Sequence, residues 1–120
     1  MTQENGSALD LLTQHFERLR GQKFEVPGVR DANGNPLVVY YDPPTNADAT
    51  MIRRRSGGGK DEVKLALYTV IYLAKDANCK RLFADDAATV QALTERVSGA
   101  TLIAMATAIT RVSGADELGN

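Results

Sequence analysis

The stretch LALYTVIYLA, residues 65–74, places ten consecutive uncharged residues in the middle of the chain. Its β-branched and aromatic residues would suit a buried strand. Because the pattern runs on without breakers at either end, we predict a helix from Lys60 to about Asp76 instead. A helix that is apolar on all sides has to be buried on all sides. The run therefore requires a fold in which other elements surround one central helix.

Four more helices are predicted around this central one. Each has a polar residue that can cap its first turn, and these are, in chain order, Ser7, Thr45, Asp85 and Ser98. The second helix should run from Asn46 to about Arg55, and glycine should end the first helix at Gly21 and the last at Gly114. Apolar residues recur at helical spacing in the first and last helices, at Leu9, Leu12, Phe16 and Leu19 and at Leu102, Met105, Ile109 and Val112.

Residues 24–41 change to the alternating pattern of strands. Two β-prone runs flank PGVRDANGNP, whose Asn33-Gly34 pair suits a turn with positive φ, so we predict a hairpin with a long tip. The predicted fold class is α+β, mainly α-helical, with about five helices and one N-terminal β-hairpin. Residues 7–114 would form its single domain, between a disordered segment 1–6 and a polar tail 115–120. We find no internal repeat.

Composition argues against several classes of function. The 14 basic and 15 acidic residues give a net charge of −1, which does not favour binding to nucleic acid or to an anionic membrane. No stretch reaches the length of a membrane span, and the N-terminus lacks the regions of a signal peptide. The single cysteine, Cys79, excludes an internal disulfide. We expect a soluble cytoplasmic protein.

The segment RRRSGGGK, residues 53–60, matches a phosphate-binding loop only at its end. Such a loop requires glycine where Arg54 stands and serine or threonine where Asp61 stands. Basic residues are favourable in the last turn of a helix, and glycines then end it. We interpret the segment as a helix end followed by a mobile joint, without a nucleotide or nucleic-acid site.

Other candidates for chemistry are few. His15 is the only histidine, which excludes a histidine pair and a site with several histidine ligands. Cys79 lies beside two basic residues but has no placed base, and we interpret it as a free surface thiol. Helix capping explains Asp85 and Asp86. We predict no catalytic, cofactor-binding or metal site, and expect a protein that is not an enzyme.

The central helix carries many apolar residues, and four short helices and a hairpin would not readily cover all of them. A place in the core is the simpler explanation for most of them. The alternative is that one side of the helix meets another chain, and the residues of that side are Leu65, Tyr68, Ile71 and Tyr72.

Short motifs follow one another in a fixed order between residues 24 and 112. The first set reads F-x-V-P, a turn, G-x-P-L-x-V-Y and a proline-threonine entry to a helix, and its residues are Phe24, Val26, Pro27, Gly34, Pro36, Leu37, Val39, Tyr40, Pro44 and Thr45. The second set follows the hydrophobic helix and consists of Asp76, Lys80, Leu82, Phe83, Asp85, Val97, Ser98 and Leu102–Ile103. This order resembles that of the tail assembly chaperones of long-tailed bacteriophages. Two features depart from it: Cys79 stands where the family often has glycine, and RRRSGGG replaces a longer charged helix.

The resemblance implies a role without chemistry. Such chaperones coat or hold the long, aggregation-prone tape measure protein before tail tube subunits polymerise around it, and they need no cofactor. We therefore expect self-association, the tape measure protein as partner, and action in the host cytoplasm with absence from the mature virion. Two alternatives stay open: a structural tail or head-completion protein retained in the virion, and a small adaptor that binds a host protein.

The last three residues, Leu118-Gly119-Asn120, bear on how the gene is read. In this family some ribosomes usually slip back one nucleotide near the end of the gene. They then make a longer form whose extra C-terminal domain carries tape-measure binding. Written CUG GGA AAC, the codons contain the slippery heptamer G GGA AAC, although an ordinary polar tail explains the residues equally well. With that heptamer, this chain is the short, non-frameshifted form.

Overall fold

The computed structural model describes the backbone of residues 7–118 and the side chains of residues 7–111. In chain order its elements are α1 (Ala8–Leu19), β1 (Gln22–Arg30), β2 (Pro36–Tyr41), α2 (Asn46–Arg55), α3 (Glu62–Leu73), α4 (Ala87–Arg96) and α5 (Gly99–Leu118). Five helices and a two-stranded antiparallel sheet within this part of the chain agree with the predicted α+β class. The hairpin, however, does not begin the fold, because α1 precedes it.

Helix α3 lies at the centre of the core. Its buried residues are Ala66, Leu67, Tyr68, Thr69, Val70, Ile71 and Leu73. Helix α5 packs along α3, and the hairpin, α2 and α4 add further buried side chains, so that the surrounding core residues include Val26, Val39, Ile52, Leu93, Leu102, Met105 and Ile109. The uncharged run is therefore enclosed within one chain, as a helix without a polar face requires.

Both ends of α3 lie inside the predicted bounds. The Asp61 carboxylate accepts a hydrogen bond from the Lys64 N–H at 3.0 Å, so Asp61 caps the helix and is not part of its first turn. At the other end, Lys75 leaves the helix and exchanges two backbone hydrogen bonds with Tyr40, both 2.8 Å long. The predicted bounds are wrong because these contacts with the sheet and the cap outweigh the continuing helical pattern.

The hairpin is regular at its base and irregular near its tip. Residues 22–25 pair in register with residues 38–41, and pairing resumes at Arg30 opposite Pro36 after an irregularity. Pro27 lies in that irregular stretch, where its missing N–H costs no ladder hydrogen bond. Because β1 continues to Arg30, the tip spans only residues 31–35 and is shorter than predicted. The predicted positive φ at Gly34 is confirmed, at 83°.

Most predicted caps are correct. Ser7 caps α1, and Thr45 caps α2 through a full capping box with Asp48. At the start of α5, the Ser98 hydroxyl accepts a hydrogen bond from the Ala100 N–H at 3.2 Å. Helix α4 is capped by Asp86 and not by Asp85, as the hydrogen bond from the Thr89 N–H at 2.8 Å shows.

The predicted end of α5 is wrong, because the helix continues through Gly114 to Leu118. One interior glycine costs a helix only about 1 kcal/mol, which does not by itself end it. The Val112 side chain, the segment 1–6 and the last two residues of the predicted tail lie outside the described part of the chain. In the helices that the structure describes, no apolar stretch is long enough to cross a membrane.

Candidate interaction surfaces

The N-terminal half of α1 exposes three leucine side chains to solvent. The exposed fractions are 70% for Leu9, 53% for Leu11 and 67% for Leu12, and no residue of the helix is buried. We call these three residues the leucine patch. The helical spacing predicted an apolar face here, but it contained no information about what covers that face. Within the described residues, nothing buries the leucine patch.

The opposite end of α1 is attached to the rest of the domain. The Gly21 N–H donates to Asp42 Oδ1 at 2.9 Å, and Arg20 Nε donates to Asp42 Oδ2 at 3.3 Å. Hydrogen bonding to Glu17, together with the charge of Asp42, raises the pKa of Arg20. Phe16 is half-buried in a cleft that Leu73 also lines. The C-terminal half of α1 is therefore held against the domain, while the leucine patch projects.

The four residues predicted to meet another chain lie mainly in the core. Ile71 has no exposed area and Tyr68 is 8% exposed, whereas Leu65 and Tyr72 are half-buried. A partner of the folded domain has no access to Ile71 and little to Tyr68. Covering by α5, α2 and the hairpin accounts for the apolar excess that suggested an interface here.

Tyr72 takes part in a polar bridge that joins three segments of the chain. Arg55 Nε donates to the Tyr72 hydroxyl at 3.0 Å, and Arg55 Nη2 donates to Asp85 Oδ1 at 2.6 Å. The Tyr72 hydroxyl donates to Asp85 Oδ2 at 2.5 Å. The Arg55 guanidinium also lies 5.0 Å from the ring centre of Tyr68, and that of Arg81 lies 4.7 Å from the ring centre of Tyr72. Asp85 thus bonds to α2 and α3, which is why it does not cap α4.

The segment after Arg55 folds back on α2. Ser56 is only 3% exposed, and its hydroxyl donates to the Arg53 carbonyl at 2.9 Å. The Gly58 N–H donates to the same carbonyl at 2.9 Å. Gly59 has a φ of 81°, and a Cβ added to it would lie 3.1 Å from Arg53 Cγ. The first part of RRRSGGGK is therefore a hydrogen-bonded helix end, and glycine at position 59 allows both the backbone conformation and the close packing.

Acid is expected to weaken the bridge. Hydrogen bonds from Tyr72 and then from Arg55 lower the pKa of Asp85 from its ordinary value of 3.8. A carboxyl with a lowered pKa in the folded state stabilises that state above its ordinary pKa, and the contribution is lost as the pH falls through the lower folded value. The unfolding free energy should therefore drop below about pH 4, and drop less in Asp85→Asn. Urea unfolding at several pH values between 7 and 3 measures this, and equal losses in both proteins would contradict it.

One turn occurs twice in the chain. In DANGN, residues 31–35, and in DANCK, residues 76–80, the leading aspartate carboxylate accepts hydrogen bonds from the N–H groups two and four residues later, at 2.8–3.0 Å. The leading N–H also donates to the last carbonyl in both turns. The fourth residue has a positive φ, 83° at Gly34 and 66° at Cys79. Cys79 is the only non-glycine residue with positive φ in the described part of the chain, and its thiol is exposed as predicted.

A second apolar surface lies between the N-terminal half of α3, α4 and the start of α5. It is an open groove of about 230 Å³, and the apolar side chains that line it include Val63, Leu67, Val90, Val97 and Leu102. Val63, at 42% exposure, lies partly in solvent. We call this surface the α3–α5 groove.

Among the described residues, no group of three or more histidine, cysteine, aspartate or glutamate side chains is placed to hold a metal ion. Comparison of the chain with protein-family models, with curated proteins and with solved structures found no match.

Proposed function

We propose that the protein is a tail assembly chaperone of a long-tailed bacteriophage. In this proposal it self-associates and holds the tape measure protein in the host cytoplasm while the tail tube assembles, and it is absent from the mature virion. It uses no cofactor and catalyses no reaction. The observation that carries the proposal is the leucine patch of α1, because several exposed apolar side chains on one short helix are typical of a surface that binds other proteins.

The motif residues that carry the family resemblance have structural positions that support this proposal. Val26 and Val39 are buried in the hairpin, and Thr45 caps α2. Asp76 forms the turn in which Cys79 takes the left-handed conformation, at the position where the family often has glycine. The motif residues named here therefore have structural roles: they form part of the core, a helix cap and a turn.

The size of the leucine patch suits a protein that has to release its client. Full burial of a leucine side chain contributes roughly 1.5–3 kcal/mol. Covering the exposed parts of Leu9, Leu11 and Leu12 would then contribute about 3 to 6 kcal/mol. Association costs several kcal/mol, so one such contact is weak. Many weak contacts along a long client would hold it together and still allow stepwise displacement by tube subunits.

Co-expression tests the proposed function. The tape measure protein of the same phage is expected to remain largely in the soluble fraction when this protein is produced with it, and to aggregate without it. Lys60→Ala is a suitable control, because Lys60 is exposed and lies outside α1. Equal aggregation with and without the protein would contradict a holding role. Detection of the chain in purified particles by mass spectrometry would instead favour a structural protein retained in the virion.

The proposal includes a longer form of the same gene product. The nucleotide sequence that encodes residues 118–120 decides this part, since a frameshift there requires the repeated heptamer and an open −1 frame beyond it. Residues 119–120 lie outside the described part of the chain. In this scheme the short form supplies the body of the assembly, and the long form recruits the tape measure protein.

A further inference from the structure

We propose that the α3–α5 groove binds one tyrosine side chain of a partner peptide, and that the Tyr68 hydroxyl is the group that recognises it. This inference goes beyond the proposed function, because it concerns a different surface from the leucine patch and does not depend on what the leucine patch binds. The groove is formed within one chain: α3 supplies Val63, Leu67 and Tyr68, and α4 and α5 close it with Val90 and Leu102.

The hydroxyl of Tyr68 lacks a hydrogen-bond partner. Tyr68 is only 8% exposed, yet its hydroxyl makes no hydrogen bond to any residue that the structure describes. In this part of the chain, no polar side-chain atom is both fully enclosed and unpaired, so the hydroxyl keeps a small contact with solvent. Burying a hydroxyl without a partner costs free energy. A ligand that offers a hydrogen bond at this point removes that cost.

The groove is the side from which a ligand can reach Tyr68. The Arg55 guanidinium lies 5.0 Å from the centre of the Tyr68 ring, and Arg55 does not line the groove, so it covers a different part of the ring. One turn further along α3, the Tyr72 hydroxyl already accepts a hydrogen bond from Arg55 and donates one to Asp85. Two tyrosines on the same helix therefore differ, because Tyr72 is paired within the chain and Tyr68 is open to a partner.

The other polar groups of the groove favour a ligand without net charge. Asp61 and Lys64 are exposed at its rim and carry opposite charges. The Asp61 carboxylate accepts a hydrogen bond from the Lys64 N–H at 3.0 Å, and the Thr94 hydroxyl donates to the Val90 carbonyl at 2.6 Å. A charged ligand would meet attraction and repulsion together at this rim. The N–H and C=O groups of a neutral peptide backbone can instead pair with the carboxylate and the ammonium group.

The size of the groove corresponds to one aromatic ring. Its volume of about 230 Å³ exceeds the roughly 150 Å³ of an apolar cavity that binds benzene. It is smaller than the pockets of about 300–1,000 Å³ that hold drug-sized molecules. Tyrosine combines an apolar ring with a hydroxyl that both donates and accepts, so it can bond to the Tyr68 hydroxyl in either direction. Because the groove is open on one side, the backbone that carries the ring can stay outside it.

A single ring of this kind binds weakly. The dissociation constant for a short peptide should be on the order of 1 mM, because few atoms are buried and the peptide loses freedom on binding. Nuclear magnetic resonance (NMR) of the backbone amides detects binding in this range and also locates it.

A double-mutant cycle with the full-length chain tests the assignment. The peptide acetyl-Gly-Gly-Tyr-Gly-Gly-amide and its counterpart with a central phenylalanine are titrated into wild type and into Tyr68→Phe. The tyrosine peptide is expected to shift the amide signals of Lys64, Val97 and Gly99. It should bind wild type about three- to tenfold more tightly than the phenylalanine peptide, which is the effect of one neutral hydrogen bond. Tyr68→Phe should bind both peptides equally.

Two glutamate variants test the location. Val63→Glu places a charge at the groove and should weaken the binding of both peptides; an acidic residue is compatible with the first turn of α3. Met51→Glu, at a position on α2 that is 37% exposed and does not line the groove, is the matched control and should bind like wild type.

The free protein tests the premise that the Tyr68 hydroxyl has no partner. Tyr68→Phe removes only that hydroxyl, so the urea concentration at the midpoint of unfolding should not fall. Tyr72→Phe removes the hydrogen bonds to Arg55 and Asp85 and should lower the midpoint. An equal fall in both variants would mean that the Tyr68 hydroxyl is bonded within the chain, which overturns the proposal.

Several results of the titrations would also overturn it. These are equal binding of the two peptides to wild type, a preference for tyrosine that persists in Tyr68→Phe, amide shifts outside the groove, and no shifts at several millimolar peptide. p-Cresol, which is the tyrosine side chain without a backbone, should bind more weakly than the tyrosine peptide, because it cannot pair with Asp61 or Lys64. Binding of equal strength would show a site for a free phenol and not for a peptide. The solubility of the tape measure protein on co-expression tests the proposed function separately.

Discussion

Replacing Ile71 by alanine is expected to lower the free energy of unfolding by about 3 to 5 kcal/mol. Ile71 has no exposed area and lies on the central helix, so the cavity left by the deleted atoms has little room to collapse. A domain of this size is stabilised by roughly 5–15 kcal/mol in total, so the variant should be close to unfolding at physiological temperature. Urea unfolding followed by circular dichroism measures the change.

Val63→Ala is the matched control for this change. Val63 lies on the same helix but is 42% exposed, and its truncation should cost about 0.5 kcal/mol or less. Similar losses in the two variants would mean that Ile71 is not enclosed. The face formed by Leu65, Tyr68, Ile71 and Tyr72 would then again be a candidate for contact with another chain.

The turn that occurs at residues 31–35 and again at residues 76–80 predicts opposite changes in stability for substitutions at its fourth position. Cys79→Gly should raise the free energy of unfolding by about 1 kcal/mol, because an L-residue with φ near 66° carries a steric penalty that outweighs the extra backbone freedom of glycine. Gly34→Ala should lower it by about the same amount. No atom would lie within 4 Å of the added Cβ, so this change tests the backbone alone. Thermal and urea unfolding of both variants provide the measurement.

Cys79→Ala separates the thiol from the backbone conformation. Alanine keeps the Cβ and therefore the steric penalty, so its stability should stay close to that of wild type. An increase equal to that of Cys79→Gly would show that removal of the thiol, and not of the Cβ, is what stabilises the turn.

Local patterns predicted the elements of this fold well. The caps Ser7 and Thr45 and the exact span of α2 depend on residues within one or two turns of each other, and such signals are present in the sequence itself. Two of the errors arose where residues distant in sequence meet. Helix α3 ends early because Lys75 pairs with Tyr40, and Asp85 does not cap α4 because it bonds to Arg55.

The candidate surfaces were harder to predict than the elements. The spacing of Leu9, Leu12 and Phe16 defines an apolar face, but it does not distinguish a covered face from an exposed one. Conversely, the charge-free run around Ile71 suggested an interface that α5 and the hairpin cover. The repeated turn was detectable, since the letters DAN occur at residues 31–33 and again at residues 76–78. Gly34 follows the first copy of the triplet and indicates a turn with positive φ there. The shared triplet then suggests the same turn at the second copy.

The pairing of Lys75 with Tyr40 also affects how the protein avoids forming amyloid-like sheets. A two-stranded sheet has two edges, and each offers unpaired backbone groups to another strand. Here residue 75 occupies part of the outer edge of β2, and it is itself paired with Arg81. The outer edge of β1 carries the exposed charges of Lys23 and Glu25, and Pro27 supplies no N–H for strand addition. Growth by edge-to-edge strand addition is thus discouraged on both sides of the hairpin.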